Sequence, residues 1–348
     1  MPSNKRFNEI DALRGIAAII VVIFHYSTRY EELFGHAKED YFTTFEFGHY
    51  GVQLFFIISG FVIYMSILKV KSVKDFIIKR SFRLYPAYII AVIITFLVVS
   101  FSTLDQLKVS LFDALINLTM FQGFIPGVDS VDGVYWSLRV EMTFYIMMAI
   151  LLLFRLEKKV MFVAITWLIG STLIQIAHSI FDMHITLLLE SFSISRFSQL
   201  FIIGMMFFSI WKYGSHFKYH ILIILSVIYD FVFEGLESGF FTLIFVSVFY
   251  FVLNGKLKIL NNKVLIFFGT ISYPLYLLHQ FIGYVIIDLM ESIGLVHEVF
   301  IIVPIVISII ASYGLYKYAE KPIQNFLYKK YNLRKDKEEK AADALAQP

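Results

Sequence analysis

The sequence predicts an all-α polytopic membrane protein of about ten transmembrane helices with both termini cytoplasmic. Composition is the first reason. The 348 residues are 58% hydrophobic and only 16% charged, with a mean hydropathy of +0.73, which excludes an ordinary soluble domain. Apolar length is the second. Runs near the ~20 residues that cross ~30 Å of hydrocarbon fall at roughly 10–29, 49–68, 84–101, 135–154, 160–178, 194–211, 219–233, 239–254, 264–287 and 299–317. The third is the alternation of charge between these runs. The stretches "KSVKDFIIKRSFR", "RLEKK", "KYGSHFK", "KLKILNNK" and the tail from Lys317 are basic. The intervening loops carry "EELFGHAKEDYFTTFE", Asp129 with Asp132, Asp182 with Glu190, Glu234 with Glu237, and Asp288 with Glu291 and Glu298. Ten spans place every basic loop on one side, and the positive-inside rule makes that side cytoplasmic.

Several features limit the organisation. The first run lacks a clean cleavage site and reads as a retained span. Residues 219–233 and 239–254 are short, with a single re-entrant hairpin as the alternative. Residues 107–121 are only moderately apolar and read as an interfacial helix. One membrane domain is expected over residues 8–328. A charged cytoplasmic tail, solvated helix or flexible chain, follows over 329–348. The chain has no cysteine, which excludes disulfides, thiolate metal sites and cysteine nucleophiles. No metal site and no nucleic-acid partner are expected; membrane lipids are.

Ionisable groups inside apolar spans need an internal partner or a wet cavity, and are functional candidates by default. The first span, "DALRGIAAIIVVIFH", carries Asp11, Arg14 and His25. Eleven residues of helix put His25 ~16 Å from Arg14 along the axis and return it to within ~20° of the same face. Asp11 lies within about 60° of Arg14, so the three line one stripe. The plainer alternative pairs Asp11 with Arg14 at the headgroups and leaves His25 bonded to a neighbouring helix.

In the second span Ser59-Gly60 reads as a close helix contact. The basic stretch at 71–83 brings Arg80 and Arg83 to the mouth of the third span. It serves topology alone or, with Arg14, clamps a phosphorylated ligand through bidentate guanidinium forks. In the fourth span Ser137, Glu141 and Tyr145 share a face at four-residue spacing. Arg139 projects from another. Glu141 is placed either to pair with an arginine or to hold a histidine tautomer. Arg196 sits at the outer entry of the sixth span, against either an acceptor or lipid headgroups. In the ninth, Ser272, Tyr276 and His279 share a face, and Pro274 is expected to free a carbonyl or kink the helix. Glu320 is placed to meet a basic residue at the cytoplasmic end of the last span.

Taken in order, "ALRGIAAIIVVIFH", "GVQLFFIISGFVI", "IKRSFRLYPAY", "YWSLRVEMTFY", "FGTISYPLYLLHQ" and "YAEKP" resemble the acyltransferase-3 family of integral membrane acyltransferases. The resemblance covers nearly the whole chain, and the stand-alone members that O-acetylate O-antigen and other polysaccharides are its nearest type. It implies transfer of an acyl group, most commonly acetyl, from cytoplasmic acyl-coenzyme A in a bacterial inner or cytoplasmic membrane. The acceptor implied is a hydroxyl of a carbohydrate, a lipid-linked glycan or a secondary metabolite. No cofactor is bound tightly; the acyl-CoA is a donor substrate.

On that reading Arg14, Arg80 and Arg83 hold the donor's phosphates. His25 acts as general base or as nucleophile, oriented by Glu141 or Asp11. Tyr276, Ser137, Arg139 or His279 donate to the developing oxyanion. A secondary transporter is the competing class, since it too places ionisable residues at mid-membrane.

Overall fold

The computed structural model describes residues 7–36, 44–181, 189–190 and 192–345. Within the acidic loops that oriented the chain, residues 37–43 and Asp182 lie outside the described residues, as do tail residues 346–348. Regular structure in the described residues is entirely helical. The principal helices are α1 (Asn8–Phe24), α2 (Gly51–Ile67), α3 (Val73–Ser100), α4 (Leu111–Asn117), α5 (Trp136–Leu153), α6 (Val160–Phe181), α7 (Ser198–Tyr213), α8 (Phe217–Phe233), α9 (Leu236–Leu253), α10 (Lys263–Leu278), α11 (Gln280–Ser292), α12 (Ile302–Leu315) and α13 (Lys321–Leu345).

Among the described residues seven helices are long and apolar enough to cross a membrane, or eight if the bent pair α10–α11 counts as one span. The protein is therefore an all-α, multi-pass membrane protein. Helices α7 and α8 occupy two of the other expected spans, but are only 16 and 17 residues long. The expected continuous span at 264–287 is instead two helices meeting at 71°. The bend does not fall at Pro274 but between Leu278 and Gln280.

Backbone groups at such a break must find partners, because lipid offers none. Here they do. The Phe281 N–H donates to Asp132 Oδ2 at 3.1 Å, and the Tyr26 hydroxyl donates to the His279 carbonyl at 2.6 Å.

Helix packing in lipid relies on close backbone approach at small residues. Helix α1 packs along α10, and α2 along α7. A Cβ on Gly269 would lie 1.9 Å from the Asp11 carbonyl oxygen. One on Gly60 would lie 2.2 Å from the Phe201 carbonyl oxygen, so the Ser59-Gly60 contact is a true helix crossing. Helix α4 has the makeup expected of an interfacial helix. Ser110 and Asp113 form its capping box, and Leu111, Phe112 and Leu115 stay exposed. Asn117 then staples the chain before α5, donating to the Asp113 and Asp129 carbonyls and accepting from Val131 N–H.

Candidate active site

Two cavities lie on either side of one wall. The inner one, about 80 Å³, is lined by Arg14 from α1, Ser59 from α2, Arg80 and Arg83 from α3, Ser137, Glu141 and Tyr145 from α5, and Ser272 and Tyr276 from α10. The expected face on α5 is realised: the Tyr145 hydroxyl donates to Glu141 Oε1 at 2.5 Å, and Ser59 Oγ donates to the same oxygen at 2.9 Å. Arg80 lies over the rings of Phe76 and Tyr145, 5.7 and 5.8 Å from their centroids. Its Nε is buried without a hydrogen-bond acceptor among the described residues. Arg14 stands 4.0 Å from Asp11.

The inner cavity thus brings Arg14 of the α1 stripe together with Arg80, Arg83 and Glu141, while His25 of that stripe lies elsewhere. Glu320 meets the charge of Arg83, as expected of it. Its Oε1 accepts from Gln324 at 3.0 Å, and its Oε2 is buried without a hydrogen-bond partner among the described residues.

The outer cavity, about 500 Å³, is lined by His25, Arg29, His49, Gln53 and Gln280 and by the rings of Phe24, Phe56, Trp136, Phe197 and Phe281. Val52, Phe56 and Tyr276 line both cavities and form the wall between them. Tyr276 is fixed there. Its hydroxyl lies 2.7 Å from Ser137 Oγ, and both hydroxyls reach the Val134 carbonyl.

His25 ends α1 and begins a π-helical turn, His25–Arg29. Such wide turns recur at functional positions. The turn lets Tyr26 reach across to the His279 carbonyl and to Ser308 Oγ at 2.7 Å.

The His25 ring meets His279. His25 Nδ1 is 2.8 Å from the Val21 carbonyl oxygen and 3.1 Å from His279 Nε2. His279 Nδ1 is 3.0 Å from the Leu275 carbonyl oxygen and 2.9 Å from that of Tyr276. Carbonyl oxygens only accept, so both Nδ1 atoms carry hydrogen. A neutral His279 then presents a bare Nε2, which accepts from His25 Nδ1–H. The unshared pair of a neutral His25 falls on its Nε2.

The remaining candidates separate from this centre. Asp11 sits about 21 Å from His25 along the helix axis, beside Arg14. Neither Asp11 nor Glu141 holds the His25 ring; the Val21 carbonyl and His279 do. Arg139 and Arg196 line a groove outside the wall, with Trp136, Glu190 and Phe197. Arg196 Nη2 is 3.0 Å from Glu234 Oε2 and Nε is 3.6 Å from Glu190 Oε1, so it is spent on ion pairs.

Sequence reasoning missed Tyr26, Asp132 and the aromatic wall of the outer cavity. Asp132 was read only as a loop charge. It is fully buried, and its fixed place before a tryptophan-led span was the available signal. Nothing local marks Tyr26, whose partners are more than 250 residues away. Gln53 belongs to a further buried network: its amide donates to Ser238, which donates to the Asp230 carboxylate. Among the described residues no group of three or more His, Asp or Glu side chains is placed to hold a metal ion.

Comparison with known proteins gives a consistent result. The family model described as "Acyltransferase domain" matches residues 7–316. Proteins of Staphylococcus aureus strains COL and N315, each named "Putative O-acetyltransferase", are 25% identical over 78% of this chain and 49% of their own length. "Nodulation protein 10" of Rhizobium leguminosarum bv. viciae is 28% identical over 43% of this chain and 47% of its own. The chain thus spans about half the length of the curated relatives it matches. No solved structure matches it.

Proposed function

Because the chain belongs to the acyltransferase-3 family of membrane proteins, we propose that it takes an acyl group, acetyl first among the candidates, from cytoplasmic acyl-CoA and delivers it to a hydroxyl on the far side of the membrane. The observation that carries this reading is the shared wall. A charge-rich cavity and a histidine cavity share Val52, Phe56 and Tyr276 in their linings. In this reading the molecule has ten spans and both termini are cytoplasmic, in a bacterial inner or cytoplasmic membrane.

The chemistry follows from charge and reach. Coenzyme A is polyanionic, and guanidinium groups bind phosphate through strong charge-assisted bonds. Arg14, Arg80 and Arg83 hold that end, and the buried Arg80 Nε supplies a donor with no competing acceptor among the described residues. The pantetheine arm is slender and uncharged, and brings the thioester to the wall.

His25 Nε2 then works in one of two ways. As a base it takes the acceptor's hydroxyl proton while the oxygen attacks the thioester carbon; the C–S bond breaks, and the proton passes to the departing thiolate. As a nucleophile its Nε2 bonds the thioester carbon and the C–S bond breaks, the Nδ1 proton leaving to the thiolate; the acceptor oxygen then displaces the imidazole, and the acceptor's proton returns to the ring. Tyr276 and Ser137, hydroxyls at the wall, are the nearest donors to a developing oxyanion. Glu141 takes a different role from the one its depth suggested: it neutralises and spaces the arginines.

The acceptor enters the outer cavity. Aromatic faces with sparse polar groups suit the apolar faces and hydroxyl rims of sugar rings, so a carbohydrate or lipid-linked glycan is the proposed class.

The test is a reconstituted assay. Purified protein in vesicles is given radiolabelled acetyl-CoA on one side and a glycan acceptor on the other. Acetylated acceptor across the membrane is expected. Passage of label without ester formation would return the transporter reading.

A further inference from the structure

The helix beyond the family-matched region packs against the arginines. Helix α12 continues through a second π-helical turn, Tyr316–Glu320, into α13. The sequence suggested a solvated or flexible tail from residue 329. The chain is helical there, with most described residues from 329 exposed, and one stripe of α13 docks antiparallel along the start of α3. Gln324 Nε2 donates to the Arg83 carbonyl at 3.0 Å, and the Tyr328 hydroxyl to the Lys79 carbonyl at 3.0 Å. The Tyr331 hydroxyl bonds Asp75 Oδ1, and Lys335 Nζ bonds Asp75 Oδ2 at 2.7 Å. Phe82 adds edge contacts to the rings of Tyr328 and Tyr331.

These ties have a helical logic. Positions 324, 328, 331 and 335 form one stripe at i, i+4, i+7 and i+11, and their partners 83, 79 and 75 form the matching stripe on α3. Two of the ties grip backbone carbonyls. They hold the helix bearing Arg80 and Arg83 while leaving both guanidinium groups free to line the inner cavity.

The segment has reason to need holding. Pro86 lies inside α3. Its missing N–H leaves the Phe82 carbonyl without its intrahelical bond, and its ring crowds that turn. The arginine-bearing turn is therefore weakened from within. Tyr273 donates to the Leu84 carbonyl at 3.2 Å from the other side.

We propose that α13, from Lys321 to Lys335, is a splint for the donor site. Gln324, Tyr328, Tyr331 and Lys335 are positioning residues that set where Arg80 and Arg83 present their charge. The inference rests on the reading that those arginines bind the donor's phosphates.

The experiment measures kcat and the donor KM of full-length purified protein with acetyl-CoA, alongside its thermal midpoint. Lys335→Ala and Tyr328→Phe should each raise donor KM by about 3–10-fold, the worth of one hydrogen bond or ion pair, with kcat within two-fold. The swap Asp75→Lys with Lys335→Asp should recover most of the loss of Lys335→Ala. Arg83→Ala is the reference and should raise donor KM more than either. If Arg83→Ala raises KM while the splint variants lower only the thermal midpoint, the helix is merely structural and the proposal falls. If Arg83→Ala itself leaves donor KM unchanged, the donor-site reading falls, and the splint with it.

Discussion

The two cavities are built on opposite principles. The inner one is small and dense in charge: three arginines crowd one carboxylate within about 80 Å³. The outer one is some six times larger, about 500 Å³, and is walled by aromatic rings with a few neutral polar groups and Arg29. Charge recognises a ligand at long range and with little regard to its shape; packing against rings reads shape at contact and is tolerant of detail. The contrast suits a fixed polyanionic donor on one side and a bulky, mostly uncharged acceptor on the other. It also explains why ionisable residues, legible as exceptions in apolar sequence, marked the inner cavity better than the outer.

Four measurements break or sharpen that contrast. The largest effect belongs to His25→Ala, expected to lower turnover by about 10²–10⁴-fold, the usual contribution of a general base, while donor KM stays within a few-fold. Wild-type turnover in the purified variant would remove His25 from the chemistry. Next is His279→Leu, expected to cost roughly 100-fold in kcat, because the hydrogen bond that selects the His25 tautomer is lost. His279→Gln, which can still offer an oxygen to His25 Nδ1–H, should restore part of it. If Gln and Leu behave alike in a folded protein, the tautomer argument is wrong.

Arg14→Ala should raise the donor KM by about 10–30-fold through loss of charge-assisted hydrogen bonds and leave acceptor KM alone. An effect on both would mean the wall does not separate the ligands. The smallest change is expected for Trp136→Ala: acceptor KM rises about 3–10-fold, from lost ring contact, with donor KM unchanged.

The helical rods were largely legible from apolar length, and α2's Ser59-Gly60 crossing from its small residues. Both are local signals. The same holds for Arg14, Arg80, Arg83 and Glu141, whose charges stand out where hydrocarbon is expected. Their separation from His25 by Tyr276 was not legible. Eleven residues place Arg14 and His25 on one stripe, but what stands beside that stripe is decided by α2, α5 and α10. The 71° break was misplaced for a related reason. Pro274 advertises a kink locally, yet the bend forms at Leu278–Gln280, where Asp132 and Tyr26, both distant in sequence, can satisfy the exposed backbone. Within the tail the ties of Tyr331 and Lys335 to Asp75 were not legible, because their partner lies more than 250 residues away.

The wall between the cavities carries one more consequence, for the energised membrane. A charge that crosses a membrane does work against its potential, about 2.3 kcal/mol per elementary charge for each 100 mV. On the proposed reading the arginines retain every phosphate on the side it came from, and past Val52, Phe56 and Tyr276 the acyl group goes outward in exchange for the acceptor's proton, with no net charge moved. Transfer should therefore be electrically silent: collapsing the potential with an ionophore leaves its rate unchanged, and the cell can decorate its exterior without drawing on its ion gradients.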